Sequence, residues 1–230
     1  MDAYTISREQ SQSALFDFSD TSTGAVELFP AVWSAAEGLS SPELNVRHAS
    51  LDTLVNLGAP RLSPLVAYLL ATRLFDPDLG LRSKIVVILG ELLARDREGH
   101  KTPELVRSYL IAYLSQMRTR LVYGLMQVAV HDTNSKQYIA RLLNACPYAG
   151  EHLADILSDR KVPLTIRLQA AYFIGQVGYL DVIQDLERLS TRLESRLMGQ
   201  QAMPFAPRSE PDETVLLPAI QNTLTMLRSP

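Results

Sequence analysis

The sequence predicts an all-α fold of short, stacked helices, and three observations carry that reading. From about Val26 to Arg196 apolar residues recur three and four positions apart, as at Leu44, Leu51, Leu54 and Val55, or at Leu105, Tyr109, Ala112 and Tyr113. This spacing lines one face of an α-helix. Alternating strand patterns are hard to find. The one β-branched run, Ile85-Val86-Val87-Ile88-Leu89, lies inside an amphipathic stretch from Leu79 to Arg95 whose length favours helix. Finally, the stretches end at strong punctuation, with proline at their starts and glycine at their ends.

Taken in order, residues 1–22 are rich in Ser, Thr, Asp and Gln and read as a flexible lead-in. Leu15, Phe16 and Phe18 are its exception, an apolar cluster able to dock on the body. In Ser40-Ser41-Pro42-Glu43, Ser40 is expected as a helix cap with Glu43 at the third helical position, a capping box. Asp76-Pro77-Asp78, Thr102-Pro103-Glu104 and Val162-Pro163 place prolines at first turns, where the missing N–H costs nothing. Gly58-Ala59-Pro60, Gly99 and Gly178 mark stops. Trp33, the single tryptophan, is expected in the core of an early helix. Residues 23–197 form the helical body, with an extra helix near 134–145. Residues 198–212, with three prolines, read as a loop or linker. Residues 213–230 return to helix through Val215, Leu216, Ile220, Leu224 and Leu227, a terminal helix folding back as a cap.

Composition narrows the function classes. The 230 residues carry 22 Lys+Arg against 25 Asp+Glu, a net charge of −3, which argues against nucleic acid as a partner. One cysteine excludes a disulfide framework within the chain. The longest apolar runs, Leu62–Leu74 and Ile85–Leu93, are cut by Arg73, Glu91 and Arg95, so no membrane span is expected. With no basic-then-apolar leader in Met1 to Ser13, a cytoplasmic location is the expectation.

Four helices begin with an arginine that leads an apolar ladder: Arg47, Arg82, Arg120 and Arg167. The steps are 35 residues from Arg47 to Arg82, 38 to Arg120 and 47 to Arg167. The first two match one helical hairpin per repeat, and the third is longer by about one helix. Eight residues past the arginine, glycine occurs twice, at Gly90 and Gly175. The segment Arg118–Val130 departs most. Gln127 stands where the others carry an aliphatic residue, and Gly124 weakens its helix by up to about 1 kcal/mol relative to alanine.

These segments resemble HEAT repeats, in which an Asp and then an Arg open the second helix of each antiparallel pair. Asp76-Pro-Asp78-Leu-Gly-Leu-Arg82, Asp159 to Arg167 and the Val46-Arg47 pair carry the resemblance, which spans roughly residues 25–196. It implies a right-handed α-solenoid of about five hairpins with a C-terminal capping helix. One hairpin cannot bury its apolar stripe alone, and stacking makes the stripes one core. The repeat arginines are expected to bond along the stack, exposed pairs contributing about 0–1 kcal/mol each.

Catalytic constellations are absent from the sequence. His48, His100, His131 and His152 are scattered, and Glu151-His152 with Asp155 reads as a polar helix start rather than a metal site. Cys146 reads as a buried structural thiol. No phosphate loop or Gly-x-Ser-x-Gly elbow occurs, and no cofactor is expected. Among HEAT-like enzymes, deoxyhypusine hydroxylases need His-Glu pairs that are missing here. HEAT-like DNA glycosylases need a basic, tryptophan-bearing face that the single Trp33 and the net charge do not supply. Bilin-handling or lyase-type HEAT-like proteins are the alternative, with Tyr123, Tyr172 and Gln169 able to line a groove. Arg188, Arg192 and Arg196 read as a salt-bridged face, or as a basic stripe for an acidic partner. The leading expectation is a non-catalytic scaffold or adaptor that binds a protein through the face of its second helices. Its candidate contacts are Asn56, Glu91, Tyr123, Gln169, Tyr172 and Gln176, with Met203 and Phe205 of the linker as a second surface.

Overall fold

In the computed structural model, which describes residues 25–95, 99, 101–201 and 211–229, the chain is all-helical, with twelve α-helices and no strand among those residues. A short 3-10 turn, Ala25–Leu28, precedes α1 (Pro30–Gly38), α2 (Leu44–Asn56), the single turn α3 (Ala59–Leu62), α4 (Pro64–Thr72) and α5 (Leu79–Leu92). Then follow α6 (Glu104–Leu114), α7 (Thr119–His131) and α8 (Lys136–Asn144). The last four are α9 (Ala149–Ser158), α10 (Leu164–Val177), α11 (Ile183–Gln201) and α12 (Pro211–Arg228). The lead-in 1–22, with Leu15, Phe16 and Phe18, lies outside the described residues, as do Met203 and Phe205.

Local chemistry sets most boundaries. Ser63 Oγ accepts from the Val66 N–H at 3.1 Å and Asp78 Oδ1 from the Leu81 N–H at 2.6 Å, capping α4 and α5. Gly58 (φ 66°) and Gly178 (φ 87°) take the left-handed conformation that ends α2 and α10. The capping box at Ser40 does not form. Here α2 starts at Leu44, one residue past Glu43, and the preceding turn is held instead by Arg47 Nη1 donating to the Ser41 and Pro42 carbonyls, both at 3.1 Å. Pro103 and Pro163 sit at the cap position just outside their helices, and Pro77 lies before the Asp78 cap.

One contiguous hydrophobic cluster runs from Val26 to Leu227. Fully burying a leucine or isoleucine stabilises by about 1.5–3 kcal/mol, so this cluster outweighs any surface ion pairing. Two faces differ from the expected ones. In α6 the buried residues are Val106, Leu110 and Leu114, while Leu105 and Tyr109 are 52% and 51% exposed. In α2, Leu51 and Leu54 are buried, and Leu44 and Val55 face outward. Both ladders have helical spacing, so periodicity alone does not choose between adjacent faces. Trp33 is 43% exposed rather than core, its indole N–H donating to the Glu27 carbonyl at 2.7 Å.

The pairing of helices is regular at the ends and altered in the middle. α1 packs on α2, α9 on α10, and α11 on α12. In the centre α6 lies mainly on α4, whereas α7 lies on α9 and α10, so α6 and α7 do not form a close hairpin. The extra helix α8 packs on α5 and reaches α10. At the C-terminus α11 runs on to Gln201 and α12 begins at Pro211, so helix occupies both ends of the expected linker. α12 packs on α10 and α11, burying Leu216, Ile220, Leu224 and Leu227, while Val215 points outward. Glu213 pins its first turn: the buried carboxylate accepts from Arg160 at 2.5 Å and Arg196 at 3.0 Å.

Candidate functional site

Three of the four repeat arginines are buried, not surface pairs. Arg47 meets the carboxylate of Asp76 through Nε at 2.9 Å and Nη2 at 3.1 Å, joining α2 to the turn before α5. Arg82 sends Nη1 and Nη2 to Gln127 Oε1 at 3.2 and 3.3 Å, and Nη1 lies 3.5 Å from the Gly124 carbonyl. Burial pulls the Arg82 guanidinium below its ordinary pKa, against the opposing pull of Asp76 and Asp78. Arg167 donates from Nε to the Leu157 carbonyl at 2.8 Å, closing its own hairpin. Arg120 differs: it is exposed and lies over the Phe75 ring, 5.7 Å from the centroid.

Gln127 and Gly124, which look like defects in the repeat, are therefore the receptor for Arg82. Gln127 supplies the acceptor, and a Cβ on residue 124 would stand 3.2 Å from Arg82 Nη1. The glycines eight residues past Arg82 and Arg167 also have a common use. A Cβ at Gly90 would stand 2.6 Å from Tyr138 Cβ of α8, and one at Gly175 would stand 3.2 Å from Met226 Sδ of α12. Each glycine admits the close approach of a later helix.

Around this frame an open groove forms between α2 and α5. One part, about 460 Å³, has Leu51, Val55, Val87 and Ile88 as its apolar surface, with Asp52 and Lys84 at its edge. Those two charges pair at 3.1 Å in solvent. A second part, about 360 Å³, shares Val55 and Ile88 and extends to Pro60, Arg61, Glu91 and Lys101. Asp132 closes the first part, accepting from Ser83 Oγ at 2.6 Å while capping the turn at Asn134. Volumes of this order match those of ligand clefts.

The expected contact residues distribute unevenly over this surface. Glu91 lines the groove, and Asn56 is exposed next to Val55 at the end of α2. Gln169, Tyr172 and Gln176 share one face of α10, three and four residues apart. Tyr172 is 39% exposed, packs edge-to-face on Phe173 at 5.1 Å, and carries Lys136 Nζ 4.6 Å above its ring. Gln169 is half-buried, its Oε1 enclosed without a hydrogen-bond partner. Tyr123, on α7, is half-buried against the core. α8 stands between the two groups: Tyr138 seats on Gly90, Arg141 donates to the Gly90 carbonyl at 3.3 Å, and Lys136 covers Tyr172. The expected contact residues on α2, α5 and α10 thus lie on two surfaces, one at α2 and α5 and one at α10, not on one continuous strip.

Two exposed features escaped the sequence reading. One is the groove itself, since Val55 looks like a core position by spacing. The other is the apolar set on α4 and α6 formed by Leu65, Tyr68, Leu105 and Tyr109, with Tyr68 set edge-on to Tyr113 at 5.4 Å.

Two reactive side chains, His152 and Cys146, are engaged in structure. His152 Nε2 lies 3.1 Å from the Met117 carbonyl, which only accepts, so Nε2 donates there, and Nδ1 is hydrogen-bonded to Thr119 Oγ1 at 3.1 Å. Cys146 is buried, and desolvation pushes its thiol pKa up, away from a nucleophilic thiolate. Burial likewise raises the Tyr179 phenol. Arg188 pairs with Asp185, Arg196 with Glu213, and Arg192 lines a mixed-charge cleft with Glu151, Asp155 and Asp185. Among the described residues no three His, Cys, Asp or Glu side chains converge as metal ligands, and no helix is long and apolar enough to cross a membrane.

The fold defines the class as an all-helical protein, in which buried Arg47 and Arg82 tie together helices distant in sequence. No protein-family model, curated protein or solved structure matches the chain.

Proposed function

We propose that this chain is a non-catalytic interaction scaffold, a HEAT-like α-solenoid that binds a protein partner through its second-helix surface. The pairs α1/α2, α4/α5, α9/α10 and α11/α12 are its regular layers. The middle layer has three helices, with α8 taking the second-helix place. The matching roles of Gly90 under α8 and Gly175 under α12 support that register. The observation that carries the binding reading is the groove between α2 and α5, an apolar floor of Val55 and Ile88 rimmed by charge and open to solvent. The buried thiol of Cys146 and the hydrogen-bonded ring of the half-buried His152 support a role without catalysis.

The test is affinity capture from the native host with wild type and with a Val55→Glu, Glu91→Lys double variant. Both positions are exposed, so the fold is expected to persist. A partner retained by the wild type and lost by the variant supports the reading. Identical captured sets from the two proteins, at equal thermal stability, reject it.

A further inference from the structure

We propose that Val55 is the spacer that holds the groove between α2 and α5 open, and so sets the width of that surface.

The repeat register singles Val55 out. Eight residues past the leading arginine stand Val55 in α2, Gly90 in α5 and Gly175 in α10. Each of the two glycines receives a later helix. Gly90 lies under Tyr138 of α8, where a Cβ would stand 2.9 Å from the Tyr138 Cα, and Gly175 lies under Thr223 and Met226 of α12. Accordingly α5 packs closely on α8, and α10 on α12, whereas α2 and α5 approach each other less closely. The separation of two packed helices is set by the side chains at their contact. Glycine lets backbones meet there, and a stiff, β-branched valine keeps them apart. α7 carries the buried Val128 at the same place, but it packs on α9 and α10, outside the second-helix row in the register proposed above.

Geometry puts Val55 where a spacer has to stand. Two contacts draw α2 toward α5. His48 Nε2 lies 3.3 Å from Asp78 Oδ1, and Lys84 Nζ donates to Asp52 Oδ1 at 3.1 Å. One helical turn further on, Asp52 leads to Val55 and Lys84 leads to Ile88. These two apolar residues are common to both parts of the groove, so they stand where the parts meet. Val55 is 43% exposed there, and Val87 and Ile88 are half-buried. Closing the gap would bury these side chains, and both burial and close packing favour that. The open groove therefore needs a steric cause, and the branched side chain at 55 supplies it. A partner would meet a cleft whose width depends on one uncharged side chain. That consequence rests on the binding reading above; the spacer role does not.

The experiment uses the full chain with no partner present. Val55→Ala removes the branch at an exposed helical position and improves helix propensity, so the fold is expected to persist. Val55→Ile keeps the branch. Methyl NMR with a soluble gadolinium chelate reads how far solvent reaches the methyls of Val87 and Ile88. Closure and simple uncovering have opposite signs. With the spacer gone, these methyls are expected to lose relaxation enhancement in Val55→Ala and to keep it in Val55→Ile. Enhancement that rises or stays level in Val55→Ala overturns the proposal, because truncation has then only uncovered Ile88. An equal loss in Val55→Ile overturns it too, as do methyls already shielded in the wild type. Since none of these samples holds a partner, a failed partner search leaves the result intact.

Discussion

Replacing Gln127 by leucine makes the third repeat look more regular, and the structure predicts that it makes the protein less stable. Gln127 Oε1 is the acceptor for both terminal nitrogens of the buried Arg82 guanidinium, at 3.2 and 3.3 Å. The alternative acceptor, the Gly124 carbonyl, lies at 3.5 Å, the long limit of a hydrogen bond. Hydrogen bonds to a charged group contribute about 1.5–3 kcal/mol. Leucine at this half-buried position returns about 1 kcal/mol of apolar burial. The net expectation for Gln127→Leu is a loss of about 0.5–2 kcal/mol. Removing the charge as well, in Arg82→Met with Gln127→Leu, replaces both buried partners by apolar groups and is expected to recover most of that loss. Urea unfolding followed by circular dichroism reads both variants, with midpoints compared at unchanged slope. A Gln127→Leu protein as stable as the wild type, or a double variant that shows simple additivity, would refute the receptor role.

Three further outcomes follow from named contacts. For Gly90→Ala, overpacking against the Tyr138 backbone at 2.9 Å costs about 1–3 kcal/mol, while alanine returns up to about 1 kcal/mol of helix propensity. A net loss of stability is expected there. Gly175→Ala, which meets only the flexible Met226 sulfur and a Thr223 methyl, is expected to be neutral or slightly stabilising, and equal thermal midpoints for the two variants would contradict this. Glu213→Ala leaves Arg160 and Arg196 without their shared carboxylate; because both arginines are partly exposed, about 1–2 kcal/mol is expected. Faster amide exchange across α12 is the accompanying readout, and unchanged exchange would remove the anchoring role. Asp78 is held below its ordinary pKa first by the Leu81 N–H and then by His48. Its folded pKa being below the unfolded one, its contribution is complete above about pH 4 and is lost as pH falls through the folded value. Asp78→Asn is expected to flatten the stability decline below about pH 4, and an unchanged acid profile would count against that assignment.

Much of the helical architecture can be read from neighbouring residues. The helix starts just after Pro103 and Pro163, the stops at Gly58 and Gly178 and the extra helix at Lys136–Asn144 all depend on chemistry within one or two turns. The repeat of arginines is equally visible, and so is Glu91 as a surface residue. Helical spacing leaves the choice of face open, since Leu105-Tyr109 and Val106-Leu110-Leu114 fit it equally. Only packing against α4 decides that the second set is buried.

Folding in three dimensions settled what the arginines are for. Arg47 finds Asp76 29 residues away and Arg82 finds Gln127 45 residues away, and the two unpromising residues of α7 turn out to form the Arg82 site. It also put α8 between the surfaces of α5 and α10, dividing the face on which the expected contacts lie. Helix start, stop and period are local free energies, summed over residues three or four apart. A buried guanidinium has to meet its acceptors across the core, and those come into place only when distant helices pack.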